Sequence, residues 1–191
     1  NFMSISYKKE EWLKKMKAEM REHFGIKNDL ALPKITKVVI NTGIGRLVVA
    51  SKNSQELIEK ISKELALITG QKPSFRTAKK SISSFKTREG MTIGLKITLR
   101  GKRMEDFIFK FINLVLPRIR DFWGIPLTHI DEKGNLNYGI KEHNVFLESN
   151  KEQNIPPFGL EVSFSVKAKN REQAIKLYQA WGFPLRQEDE K

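Results

Sequence analysis

The sequence predicts an α+β fold, a two-layer sandwich in which a mainly antiparallel sheet carries helices on one face and presents a polar surface on the other. Two observations predict this class. Segments whose apolar residues recur at helical spacing are interspersed with segments that alternate apolar and polar residues. Because an alternating strand buries one side only, the helices must form a layer on that side. Hydrophobic residues make up 39% of the 191 residues, which suffices for a packed core.

A helix and a strand open the chain. Residues 6–24 predict an amphipathic helix, with Ser6 as its N-cap and Gly25 as its stop. Residues 32–41 predict a strand, because β-branched residues are frequent there and suit a pleated, half-buried surface. A glycine-containing loop is expected to follow this strand.

A second helix is predicted over residues 53–69. Asn53 and Glu56 have the spacing of a capping pair at its start, and Gly70 ends it. The polar and basic residues 71–90 predict a short strand followed by a long mobile loop. This segment interrupts the regular alternation of helices and strands.

The middle of the chain predicts a strong strand and a third helix. Residues 92–100 alternate in polarity, which is typical of a half-buried strand. The residues predicted to face inward there are Ile93, Leu95, Ile97 and Leu99. Residues 103–116 predict a helix that ends at Pro117. The residues that this helix is predicted to bury are Met104, Phe107, Ile108, Phe111 and Leu114.

The last third of the chain begins with irregular structure. Residues 121–158 predict loops, with strand-like pieces near 138–147. Residues 160–168 alternate again and predict a further strand. The final helix is predicted over residues 170–181, where Asn170 is a good N-cap.

Residues 1–191 are predicted to form a single domain, since we find neither an internal repeat nor a linker that would divide them. The N-terminal helix within residues 1–25 is expected to pack on this domain, and residues 186–191 to form a flexible tail. Trp123 and Trp181 are both assigned to the core, as large aromatic side chains usually are.

The charge of the chain predicts an anionic partner. There are 35 Lys and Arg residues against 22 Asp and Glu, a net charge of +13. Self-repulsion of this size destabilises a compact protein unless a partner neutralises it, and nucleic acid or an anionic membrane surface would do so. We see neither an apolar stretch long enough to cross a bilayer nor a secretory signal, and cysteine is absent. These features favour a cytoplasmic protein without disulfides or thiolate ligands.

No motif supports an enzyme. The run GIGRLV at 43–48 has only part of a dinucleotide-binding pattern. His23, His129 and His143 lack metal-ligand spacing and are interpreted as surface or cap residues. Asp131 and Glu132 lie in a predicted turn, where two carboxylates are usually just solvated. We therefore predict no catalytic residue, no metal, no cofactor and no small-molecule substrate.

The positive charge is concentrated between Gln71 and Arg103. This segment of 33 residues holds ten basic residues and one acidic residue, a net charge of +9. Cations are mixed there with hydroxyl and amide donors and with two phenylalanines, a combination that suits folded RNA. We expect the side chains of Phe75 and Phe85 to tuck back against the protein as anchors rather than to stack on bases.

Within this segment, Lys96, Thr98 and Arg100 form a row on the outward face of the predicted strand. Such a row can lie along an RNA backbone and contact phosphate and 2′-hydroxyl groups, which favours recognition of RNA shape over base sequence. A membrane surface is the weaker alternative, because the cations do not follow one face of an amphipathic helix. A basic nucleic-acid-binding module without a defined RNA partner stays open, as does an enzyme with an unrecognised site.

Five segments of the sequence resemble ribosomal protein L5 of the bacterial type, the universal 5S-rRNA-binding ribosomal protein family. The similarity covers essentially the whole chain in the family's order, and these five segments carry it: KITKVVINTGIG (34–45), ITGQKPSFRTAKKSISSFKTREG (68–90), IGLKITLRGKRM (93–104), LPRIRDFWGI (116–125) and WGFPLR (181–186). The resemblance implies an α+β sandwich in the central protuberance of the large ribosomal subunit, where the protein helps to attach 5S rRNA.

The resemblance also implies binding residues. The family's INxG, GQKP and KxTLRG motifs assign 5S rRNA contacts to Asn41, Gln71 and Thr98, which extend the row of Lys96 and Arg100. The family's long basic loop reaches toward tRNA and rRNA and corresponds here to about residues 77–88. The predicted contacts of this loop are Arg76, Thr77, Lys79, Lys80, Ser81, Lys86 and Arg88.

Further partners implied by the resemblance are large-subunit rRNA, P-site tRNA and a small-subunit head protein across an inter-subunit bridge. Residues 121–158 are the candidate surface for this bridge. Residues 147–158 and the acidic tail match no pattern of the family, and the tail's charge makes it a poor RNA contact.

Overall fold

A computed structural model describes residues 2–26, 28–149 and 155–186 of the chain. The described residues form five α-helices: α1 Phe2–Phe24, α2 Gly45–Ala50, α3 Ser54–Thr69, α4 Gly101–Lys110 and α5 Arg171–Ala180. They also form seven strands: β1 Lys34–Gly43, β2 Ser74–Thr77, β3 Thr92–Leu99, β4 Ile125–Pro126, β5 Leu136–Ile140, β6 Leu160–Lys167 and β7 Leu185–Arg186. The predicted α+β class is confirmed.

Five of the strands form one sheet in the order β2-β3-β1-β6-β5, and β4 and β7 form a separate parallel pair. The chain divides into two compact units. The first comprises the described residues of segments 1–36, 121–136 and 164–191, and the second those of segments 37–120 and 137–163. The prediction that residues 1–191 form one domain stays a prediction.

In the second unit, β3 is the centre of the packing. It pairs antiparallel with β1, where Ile40 lies opposite Ile97, and antiparallel with β2 on its other side. The inward residues of β3 are buried as predicted, except that Ile93 at the start of the strand is half-buried. Helices α2 and α3 pack on β3, and the buried side of α3 includes Leu57, Ile61, Leu65 and Ile68. Helices therefore cover one face of these strands, as the alternating pattern requires.

The first unit is held by aromatic contacts between its helices. The rings of Trp12 on α1 and Trp181 after α5 meet edge to face with centroids 5.1 Å apart. The hydroxyl of Tyr178 is buried, accepts a hydrogen bond from the Leu136 N–H at 3.0 Å and lies 3.0 Å from the Gly134 carbonyl oxygen. Burial raises the pKa of Tyr178, so the hydroxyl stays protonated and can donate.

Several predicted helix ends are confirmed. Gly25 and Gly70 follow α1 and α3 with positive φ, and the Asn170 side chain accepts a hydrogen bond from the Gln173 N–H at 2.9 Å. The predicted cap Ser6 is wrong, since α1 begins at Phe2 and includes it. Asn53 is the N-cap of α3, but its side-chain amide donates to the Glu56 carboxylate at 2.8 Å rather than accepting from the helix backbone.

The helix predicted over residues 103–116 differs in its second half. α4 is followed by a π-helical turn over Phe111–Val115 and a 3-10 turn over Leu116–Arg118. A π turn inserts one extra residue and rotates the side chains after it. Leu114, predicted to be buried, is therefore 44% exposed, and Val115 is buried.

Two further predictions about local structure are confirmed only in part. The loop expected after β1 contains the short helix α2, whose six residues are too few to show a helical period. The strand-like pieces expected near 138–147 reduce to β5, and a 3-10 turn over His143–Val145 follows it. No helix among the described residues is both long and apolar enough to cross a membrane.

Of the predictions about buried and exposed aromatic and histidine side chains, some are confirmed and some are wrong. Trp181 is buried as predicted, whereas Trp123 is 79% exposed, and its assignment to the core is wrong. His143, interpreted as a surface or cap residue, is buried. Its ring stacks on the Phe158 ring with centroids 4.0 Å apart, and its Nδ1 accepts a hydrogen bond from the Phe158 N–H at 3.4 Å. A short polar segment between strands gives no periodic signal from which this burial could be predicted.

His143 should make the stability of the protein depend on pH. Burial lowers the pKa of His143, although the charges of Glu64 and Glu142 partly oppose this. The unfolded chain therefore takes up a proton first as the pH falls, so that the free energy of unfolding decreases below about pH 6.5, the usual histidine pKa. We expect a smaller decrease between pH 7.5 and 5 in His143→Gln than in the wild type, measured by urea unfolding. The exposed His23→Gln is the control, and an unchanged pH profile in His143→Gln would contradict the prediction.

Candidate nucleic-acid interface

The outward face of the second unit's strands carries a row of polar side chains across three strands. Asn41 on β1 lies opposite Lys96 on β3, and Ser74 on β2 lies opposite Lys96 on the other side. The Ser74 hydroxyl donates a hydrogen bond to the Lys96 carbonyl oxygen at 3.1 Å. Asn41 and Ser74 are exposed and Lys96 is half-buried. The three side chains thus form an amide, an ammonium and a hydroxyl in one line.

A second row continues this face toward the end of β3. Thr98 is half-buried and lies opposite Val39 of β1. The side-chain amide of Gln71 donates to the Thr98 carbonyl oxygen at 3.3 Å, and the Gln71 N–H donates to the Thr69 hydroxyl at 3.3 Å. Arg100 directly follows β3, is exposed and precedes the first residue of α4.

The structure therefore brings together four of the predicted 5S rRNA contacts, Asn41, Gln71, Lys96 and Thr98, and places Arg100 at the end of the same strand. Sequence reasoning missed Ser74 in this group. Its proximity to Lys96 depends on the pairing register of β2 and β3, which shifts between Arg76 and Thr77. A strand of four residues at the edge of a sheet gives too short a pattern to predict its register.

Next to the polar row lie two facing glycines, of which Gly43 is exposed and Gly94 is buried. Gly43 and Gly94 lie opposite each other on β1 and β3, and Arg76 of β2 lies opposite Gly94. A Cβ atom at Gly94 would come within 3.0 Å of the Thr42 carbonyl oxygen, whereas one at Gly43 would meet nothing within 4 Å. A phosphate backbone can therefore approach the main chain closely at Gly43.

The predicted loop after β2 has internal hydrogen bonds. The Ala78 N–H donates to the Met91 carbonyl oxygen at 2.8 Å, and Ile82 and Thr87 exchange backbone hydrogen bonds of 3.1 and 3.2 Å. A 3-10 turn over Ser83–Phe85 closes the tip. The segment is thus a paired hairpin-like structure, which its composition did not predict. All the residues predicted as contacts of this loop are exposed: Arg76, Thr77, Lys79, Lys80, Ser81, Lys86 and Arg88.

A groove of about 1180 Å³ lies between α2 and this hairpin. Its exposed apolar side chains include Phe85 at 63% and Ile82 at 46% exposure. Phe75 on β2 is also exposed, so the expectation that Phe75 and Phe85 tuck back as anchors is wrong.

The groove is positively charged on both walls. Arg46 lies on the α2 wall, and Lys79, Lys80 and Lys86 lie on the hairpin wall. The described residues that line it include no Asp or Glu. Cations along a concave surface concentrate the positive electrostatic field there and attract a polyanion. Among the described residues, no group of three or more His, Asp or Glu side chains is placed to hold a metal ion.

Comparison with known proteins adds a family to this geometry. Residues 28–88 match the family described as Ribosomal protein L5, and residues 92–185 match the C-terminal region of the same ribosomal family. The large ribosomal subunit protein uL5 of Thermosipho melanesiensis is 45% identical over 94% of this chain and 97% of its own length. The uL5 proteins of Lactobacillus helveticus and Thermus aquaticus are each 43% identical, over 94% and 93% of this chain and over 98% and 96% of their own lengths.

Proposed function

Because this chain belongs to the ribosomal protein L5 family, and is thus a structural constituent of the large ribosomal subunit, we propose that its polar sheet face binds 5S rRNA and anchors it to the subunit. Family membership confirms the resemblance found in the sequence. It also makes the protein an rRNA-binding, non-enzymatic component of the cytoplasmic ribosome. The identity of the RNA and the residues that contact it are the substance of the proposal.

The observation that carries the proposal is the alignment of Asn41, Lys96 and Ser74 across three paired strands. Because strand pairing already holds the backbones of these residues, RNA binding has to order their side chains but no further main chain. The ammonium group of Lys96 can neutralise a phosphate, and the Asn41 amide can donate to phosphate or 2′-hydroxyl oxygens. The Ser74 hydroxyl, which donates to the Lys96 carbonyl oxygen, can accept a hydrogen bond from a 2′-hydroxyl group. Such contacts set the register of an RNA backbone without reading its bases.

The hairpin of residues 78–91 supplies a second cationic surface. Its exposed Lys79, Lys80, Lys86 and Arg88 suit the phosphates of P-site tRNA or of large-subunit rRNA, as the family resemblance implied. For the inter-subunit bridge, residues 121–158 remain the candidate surface toward a small-subunit head protein. Trp123 in the first unit and Leu147 in the second are each exposed, and exposed large apolar side chains often mark protein contacts, which supports each as a candidate contact.

Binding of the full chain to 5S rRNA, compared with an unrelated structured RNA of equal length across a salt series, tests the proposal. We expect a preference for 5S rRNA of about tenfold or more at physiological salt. Asn41→Ala and Thr98→Ala should each weaken 5S rRNA binding by about three- to tenfold, because each removes a hydrogen-bonding side chain from the sheet face. Both variants should leave binding to the unrelated RNA nearly unchanged.

Asn113→Ala is the matched control, because this exposed asparagine lies on the helical side and bonds the Phe109 carbonyl oxygen at 2.8 Å. It should bind 5S rRNA as the wild type does. If the protein bound both RNAs equally well and lost both together as the salt concentration rose, the proposal would be rejected in favour of a basic module without a defined RNA partner.

A further inference from the structure

We propose that the groove between α2 and the hairpin receives an unstacked RNA base, which packs on Phe85 while the cations of the rim hold the neighbouring phosphates. This inference rests on the proposed RNA-binding function and adds to it a separate site with a defined ligand, a single nucleotide turned out of its stack. The site adjoins the end of the polar sheet face at Gly43, but its aromatic ring and its cations belong to the hairpin and to α2. Ile93, which lines the groove, alternates with the outward residues of β3 and so lies on the helical side.

The first support is the presentation of the Phe85 ring. The ring is 63% exposed although Phe85 belongs to a turn fixed by hydrogen bonds at both ends. Lys86, the next residue, has a φ of +52° and donates its N–H to the Ser83 carbonyl oxygen at 3.0 Å. A non-glycine residue in the left-handed region is unfavourable and persists only where the surrounding structure imposes it. The hairpin thus holds an aromatic face toward solvent, as a stacking platform requires.

The second support is charge complementarity. Arg46 on the α2 wall and Lys79, Lys80 and Lys86 on the hairpin wall line the same groove as the exposed ring, and the described lining residues include no carboxylate. A base that inserts between such walls brings its own 5′ and 3′ phosphates to the rim. Cations around an aromatic ring are the combination by which proteins hold single nucleotides of RNA.

The third support concerns the polarity and depth of the groove. Ser84 and Thr87 line the groove with hydroxyl groups. The Ser84 hydroxyl can donate to or accept from a base edge, and the Thr87 hydroxyl, which donates to the Ile82 carbonyl oxygen, can accept a hydrogen bond. Gly43 offers open space where a side chain would otherwise stand. An amphipathic peptide helix binds through several apolar anchor residues along one side and needs a matching line of apolar contacts. Among the described lining residues, only two large apolar side chains, Ile82 and Phe85, are well exposed. A base fits this surface better than a peptide.

The test uses the full chain and two RNA hairpins that differ only at one bulged position, adenosine in one and an abasic ribose in the other. Because both carry the same phosphates, their difference in affinity reports the base alone. We expect the wild type to bind the adenosine hairpin about tenfold more tightly at physiological salt, the usual effect of stacking one base on an aromatic ring. Phe85→Ala should abolish the difference and Phe85→Trp should retain it.

Phe75→Ala is the control for the loss of an exposed ring outside the groove, and it should keep the preference for the adenosine hairpin. Equal affinity of the wild type for both hairpins would overturn the inference. The inference would also be overturned if an acidic amphipathic peptide made of Glu and Leu bound tightly in a Phe85-dependent way while the two RNA hairpins bound equally well. The 5S rRNA comparison is independent of this result, since a retained 5S preference with no base effect removes the groove site and leaves the proposed function intact.

Discussion

Replacing Gly134 by alanine should lower the free energy of unfolding by about 3–5 kcal/mol, the largest stability effect that we expect from a single added methyl group. Gly134 is buried and has a φ of +83°. A Cβ atom there would come within 2.4 Å of the Ala174 Cβ on α5 and within 3.3 Å of the Val166 Cγ2. Neither methyl group has a flexible end that could move aside.

The position of Gly134 is fixed from several sides, so the clash cannot relax cheaply. Its N–H donates to the Asp131 carbonyl oxygen at 2.9 Å, and its own carbonyl oxygen lies 3.0 Å from the buried Tyr178 hydroxyl. A shift of Gly134 would weaken the Tyr178 hydrogen bonds as well as the turn. A loss of this size is a large share of the total stability of a small protein, which is about 5–15 kcal/mol.

Urea unfolding followed by circular dichroism measures the effect, and two alanine variants separate its causes. Gly182 has a φ of +77° but open space around it, so Gly182→Ala reports only the cost of holding alanine in the left-handed conformation, about 1–2 kcal/mol. Gly139→Ala has open space without a positive φ and should change little. If Gly134→Ala were no more destabilising than Gly182→Ala, the packing against Ala174 would not be as tight as the structure has it.

Reversing the charge of Lys96 should weaken binding to 5S rRNA by about a hundredfold at physiological salt. Lys96 lies between Asn41 and Ser74, at the centre of the proposed contact face. The carboxylate in Lys96→Glu would face RNA phosphates, so an attraction is replaced by a repulsion. The slope of log affinity against log salt should also fall in magnitude by about 1, because one phosphate contact is lost.

Lys63→Glu is the matched control, since it changes the net charge equally but lies exposed on α3, on the helical side of the second unit. It should reduce the affinity only slightly. An equal loss in both variants would show that net charge, rather than the position of Lys96 on the sheet face, determines binding. Thermal unfolding of both variants checks that each remains folded.

The local features of this protein could be predicted from its sequence. The apolar stripe of α3 and the alternation along β3 depend on neighbours three, four or two residues apart, so the sequence contains them directly. The cap of Asn170 on α5 likewise depends on a residue three positions on. The outward position of Lys96 and Thr98 followed from the same alternation.

Other features could be predicted only with the family resemblance or not at all. Asn41 and Gln71 entered the candidate site because motifs resemble those of a known family, since no local pattern connects them with Lys96. Ser74 was missed. Trp123 was assigned to the core by its residue type, although exposure depends on what the rest of the chain covers.

The sequence by itself thus determined the α+β class, most helices and strands, and the concentration of positive charge between Gln71 and Arg103. Only the tertiary structure decided that Asn41, Lys96 and Ser74 share one line, that a π turn exposes Leu114, and that Phe85 stands in a cationic groove. The physical reason is the range of the interactions. Periodicity and capping act within a few residues, whereas strand register, burial and grooves depend on contacts between segments far apart in the chain.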